Sequence, residues 1–129
     1  MDREKIIEEI RSTLGTVPEE VNELPDEVLE NDWPIMKLVM LREVRIPLKY
    51  KQLIGLAAAA VLGNRRLCFF HRELAKHFGA TEEEIRETLN VARFNAGQSA
   101  LIAGAGIDIE KYRNQTKEIV QHLRQRKAA

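Results

Sequence analysis

Ile6, Ile7, Ile10 and Leu14 recur close to every 3.6 residues. That spacing predicts an amphipathic helix over residues 3–14, stopped by Gly15. Thr16 followed by Glu19 has the form of a capping box, with Pro18 in the first turn, so a short helix is expected from Val17 until Pro25 interrupts it near Leu24. Asp32 precedes "WPIMKLVMLREV", and Pro34 suits the first turn of a helix there. Pro47 opens a helix through "LIGLAAAAVL", residues 53–62, closed by Gly63. Residues 65–78 form the next helix, stopped by Gly79. Thr81 with Glu84 is the clearest capping box, starting a helix through about Asn95. "AGQSALIAGAG" is small and apolar and reads as a buried helix with a Gly-rich end, because small residues let backbones approach closely. Asp108 caps a last helix over about 109–125, with Ile109, Tyr112, Ile119, Val120 and Leu123 facing the body and "RQRKAA" frayed.

No stretch alternates apolar and polar residues convincingly over six positions, and neither repeat nor linker is visible. The expectation is therefore an all-α fold of six to eight short helices in one domain, 1–129. The longest apolar run spans ten residues, too few to cross a bilayer, so no membrane role is expected. Twenty basic and twenty acidic residues cancel, which provides no basic field for a nucleic acid and tolerates self-association. One cysteine admits no internal disulfide, and the charged start lacks a signal peptide's apolar stretch. Both features point to a cytoplasmic protein.

Candidate chemistry gathers in "GNRRLCFFHRELAKHFGATEEEI", residues 63–85. A helix turns by about 100° per residue, so Asn64, Leu67, Cys68 and His71 share one face. Gln52 stands twelve residues before Asn64 on the preceding helix. If the two helices run antiparallel about Gly63, Gln52 lies across from His71. Cys68 is three residues before His71, near enough for an imidazole to favour a thiolate, yet its neighbours Leu67, Phe69 and Phe70 favour a buried, inert thiol. His77 suits charge at a helix end, and His122 suits an exposed face. No H-E-x-x-H pattern appears, so no metal is expected.

The stretch "PLKYKQLIGLAAAAVLGNRRLCFFHRELAKHFGATEEEIRETLNVARFNAGQSALIAG" resembles the carboxymuconolactone decarboxylase superfamily, which includes alkylhydroperoxidase D. The resemblance covers about residues 17–104, with its core at 48–100. The Lys-rich helix start, Ala-rich helix, Gly turn, histidine and "GATEEEI" follow in the family's order. It implies an alkylhydroperoxidase D-like helical fold and a cyclic homo-oligomer, a trimer or hexamer.

The redox branch carries a glutamate, a C-x-x-C pair and a histidine four residues after the second cysteine. Carried across, these positions hold Gln52, Asn64, Leu67 and His71, so only the histidine is kept. A dithiol peroxidase needs one thiolate to attack peroxide and another to resolve the sulfenic acid. Peroxidase activity stays open only as a one-cysteine reaction at Cys68. The decarboxylase branch also lacks C-x-x-C and keeps the histidine; it works on a lactone carboxylate without metal or organic cofactor. By that likeness His71 would move the proton on a small-molecule substrate, Gln52 and Asn64 would orient it, and no cofactor is needed. Arg42, Arg45, Lys49, Lys51, Arg65, Arg66 and Arg72 are candidate anion contacts. A non-catalytic oligomeric binding module is the third reading.

Overall fold

The computed structural model describes residues 2–128. Six α-helices account for most of the chain: α1 Arg3–Leu14, α2 Asp26–Met36, α3 Leu48–Leu62, α4 Arg65–His77, α5 Glu82–Ala105 and α6 Ile109–Ala128. Among the described residues there is no strand, so the all-α expectation holds.

Punctuation by turn chemistry sets most boundaries. Gly15 and Gly63 end α1 and α3 with φ of 80° and 73°, a left-handed conformation that a Cβ would penalise. Pro47 precedes α3 with φ −53°, already suited to helix entry. The Thr81 hydroxyl accepts from the Glu84 amide, and the Glu84 carboxylate accepts from the Thr81 amide, both at 3.0 Å. This is the reciprocal capping box that the sequence predicts.

Four expectations need correction. Between α1 and α2 a 3₁₀ helix, Glu19–Glu23, begins after Pro18 without a side-chain cap, so Thr16 does not start a helix at Val17. Pro34 lies in the last turn of α2, not the first turn of a later helix, because Asp26 already continues from Pro25. Proline offers no amide to the preceding turn and crowds it, and the ladder widens at once into a π-helical segment, Lys37–Leu41. The small-residue stretch continues α5 without a break, and Leu101 on it is exposed. In α6, which runs on through "RQRKA", Ile109, Tyr112, Ile119, Val120 and Leu123 are all exposed; Ala129 lies outside the described residues.

The contacts divide the chain into two units, residues 1–89 and 90–129. The first holds two clusters. Ile6, Ile10, Val21, Leu29 and Trp33 knit α1 to the 3₁₀ turn and α2. Arg3 fastens the same corner, donating to the Leu24 and Val21 carbonyls at 2.8 and 2.9 Å. Leu53, Leu56, Ala75 and Ile85 form the second cluster, where α3 packs along α4 and meets the start of α5. "LIGLAAAAVL" is thus buried along one face only: Leu53, Leu56 and Ala59 point inward, Ile54, Val61 and Leu62 outward. The second unit comprises the rest of α5 and α6, joined at Gly106.

Candidate functional site

Antiparallel packing of α3 and α4 about the Gly63 turn brings Gln52 and His71 face to face. Gln52 is fully buried, and His71 is 8% exposed. Gln52 Nε2 lies 2.7 Å from the Met40 carbonyl, and Gln52 Oε1 lies 2.9 Å from His71 Nδ1. A carbonyl only accepts, so the nitrogen end of the amide must face Met40. Its oxygen end then faces the imidazole, and Nδ1 must carry the hydrogen. The neutral ring is therefore held as the Nδ1–H tautomer, with its free lone pair on Nε2. The residue as a whole keeps 8% of its surface exposed.

Two features prepare this geometry. The π-helical segment turns the Met40 carbonyl out of the helical ladder and toward α3. Lys51, next to Gln52, braces the same segment through the Leu38 and Arg42 carbonyls at 3.2 and 2.8 Å. Gly55, one turn beyond Gln52, supplies the floor: a Cβ there would stand 2.6 Å from His71 Cε1, 2.7 Å from Nδ1 and 2.8 Å from Nε2. Phe70 meets the imidazole edge to face at 5.3 Å. Burial pushes the His71 pKa below its ordinary value of 6.5, so the ring is neutral at physiological pH.

The other sequence candidates lie elsewhere. Asn64 is the N-cap of α4, where its exposed side chain accepts from the Leu67 amide at 3.0 Å. Leu67 is exposed. Cys68 is half-buried against the Leu53–Leu56–Ala75–Ile85 cluster and makes no hydrogen bond to His71 among the described residues. Of the candidate cations, Lys49 pairs with Glu84, Arg72 with Glu82, and Arg66 with Glu19 and Glu20. Lys51 is occupied by the carbonyls of the π segment. No three His, Cys, Asp or Glu side chains among the described residues group as metal ligands would. No helix there is long and apolar enough to cross a membrane.

Sequence reasoning missed Gly55 and the Met40 carbonyl. Gly55 carried a usable signal, since glycine inside a strong helix costs stability and marks a close approach. The carbonyl carried none, because a π widening does not follow from residue types.

The carboxymuconolactone decarboxylase family model matches residues 26–108, nearly two-thirds of the chain and all of the Met40–Gln52–His71 network. A crystal structure of the alkylhydroperoxidase AhpD core from Rhodospirillum rubrum superposes with a TM-score of 0.71 at 21% identity, covering 84% of this chain and 83% of that one. No curated protein sequence matches. The structural likeness supports the helical architecture, and the family match extends across α2 to the end of α5; the chain belongs to the carboxymuconolactone decarboxylase family.

Proposed function

We propose that this chain is a cofactor-free, lyase-type catalyst of proton transfer on a small carboxylate or lactone, with His71 Nε2 as general base and then acid. The supporting observation is the one-way hydrogen-bond chain from His71 through Gln52 to the Met40 carbonyl. It leaves a neutral imidazole with its one lone pair on Nε2. In the proposed reaction Nε2 takes the proton of the substrate's carboxyl group, the C–C bond to that group breaks with release of CO₂, and Nε2 returns the proton to the carbon that keeps the electron pair. Gln52 acts by orienting the ring. Neither Cys68 nor Asn64 takes part, since the first is packed into the α3–α4 cluster and the second caps α4.

A homo-oligomer, trimer or hexamer, belongs to the same reading. Leu62, Phe69 and Phe94 are 78%, 68% and 64% exposed, far more apolar surface than lone side chains explain. Arg42, Arg45 and Arg65 are exposed as well, so a substrate carboxylate could be met at a junction between copies. The test is a decarboxylation and isomerisation panel of small lactone acids, with wild type and His71→Ala compared. Turnover falling about 10²–10⁴-fold in the variant supports the proposal. An inactive wild type across the panel, or equal rates, refutes it.

A further inference from the structure

A second cavity lies in the first unit. Between α1, the 3₁₀ turn, α2 and the π segment it encloses about 430 Å³, within the range of small-molecule sites. Its walls are apolar apart from two carboxylates, Glu20 and Asp32. His71 and Gln52 do not line it. Trp33, buried at 5% exposure, forms part of the wall, with its indole N–H turned away to Glu9 at 3.0 Å. The ring thus presents carbon to the cavity, and no polar group of Trp33 is left for a ligand to satisfy.

The charged groups at this cavity have one sign. Glu20 stands 3.8 Å from the exposed Arg66, and Asp32 forms no hydrogen bond or ion pair among the described residues. Lys37, the cation nearest Trp33, is held by Glu9 at 2.6 Å. An anionic head would meet carboxylates here and a cationic head would meet its complement. We infer that this cavity binds a small apolar molecule carrying a positively charged nitrogen, its hydrocarbon against Trp33 and its head toward Asp32. Met40 also lines the cavity, and its carbonyl accepts from Gln52, so the cavity and the His71 network share the π segment, although neither His71 nor Gln52 reaches the cavity.

Trp33 is the chain's single tryptophan, so its emission reports the cavity directly. The full-length chain is titrated with octylamine, octanol and octanoate. Octylamine should give a saturable change in emission, with octanoate binding about fivefold more weakly, as expected for a solvent-exposed pair. Leu14→Phe narrows the cavity and should abolish the change. Asp32→Asn changes one exposed group, spares the fold and should erase most of the preference for the amine. The signal should survive in His71→Ala. The inference fails if octylamine gives no saturable change, or if amine and carboxylate bind equally to wild type. It also fails if the emission change follows dissociation of an assembly in sedimentation, because the cavity would then be filled by a second copy.

Discussion

Gly55→Ala tests whether the imidazole of His71 lies against α3 as described. The added methyl would stand 2.6–2.8 Å from three ring atoms. The ring cannot retreat freely, because Nδ1 is tied to Gln52 at 2.9 Å and Gln52 is fully buried. Crowding of this kind costs about 1–3 kcal/mol. If the ring moves instead, Oε1 of Gln52 loses its donor inside the protein, at a further cost of about 1–3 kcal/mol. These are alternative routes of relief more than additive ones. Alanine regains about 0.5–1 kcal/mol of helix propensity. The net expectation is a loss of about 0.5–2 kcal/mol, read as a lower urea midpoint at unchanged m. The decisive arm is the double variant. With His71→Ala as background the clash vanishes, and Gly55→Ala should become stabilising by about 0.5–1 kcal/mol. Destabilisation of equal size in both backgrounds would refute the packing of ring on glycine.

Four further outcomes follow. Asn64→Ala should cost about 1 kcal/mol of stability and leave turnover per folded molecule unchanged, because its oxygen is used by the Leu67 amide; lost turnover at intact stability would place Asn64 in the site instead. Burial lowers the His71 pKa, so above pH 6.5 the ring is neutral in folded and unfolded chains alike and contributes no pH dependence. Below 6.5 the unfolded chain binds the proton first, stability falls until the lowered folded value is passed, and His71→Gln should flatten that segment of the curve. Activity at His71 should fall along an acid limb whose midpoint lies below pH 6.5, and a midpoint above it would contradict the burial. Sedimentation velocity should return a species larger than the monomer, whereas monomer at all concentrations removes the oligomer from the proposal.

Helices with local stop and start signals were legible in the sequence. Gly15, Pro47, Gly63 and the Thr81–Glu84 box act within one turn, so their consequences need no knowledge of distant partners. The pairing of Gln52 with His71 was legible for a related reason. One glycine turn joins two helices of known pitch, and this decides which side chains meet. Asn64 shares the His71 face by helical phase, and as an Asn at a helix start its oxygen caps its own backbone. Pro34 misled because proline suits a first turn and can also end a helix that is already running. The apolar residues of α6 misled because periodicity predicts a sticky face without saying what covers it.

Glutamine at position 52 changes what the histidine can do. The amide has a fixed direction: its nitrogen donates to Met40, and its oxygen accepts from Nδ1. A carboxylate there would face the Met40 carbonyl with no hydrogen to offer and would hold a proton or pass one on. The amide cannot shuttle a proton, so Nδ1 keeps its hydrogen throughout, and every proton that moves must move at Nε2. A relay between two groups is then closed, while a reaction in which one atom takes a proton and returns it is open. Peroxide reduction in the dithiol manner requires, besides the relay, a second sulfur, and the chain has one cysteine. Moving a carboxyl proton to the carbon that loses CO₂ requires only the lone pair that this network leaves free. Gln52→Glu separates the two cases in one measurement. It should raise the His71 pKa, because an anion beside Nδ1 favours the imidazolium, and it should slow a reaction that depends on a neutral ring at pH 7. A faster reaction in that variant would mean that position 52 carries protons and that the tautomer argument is mistaken.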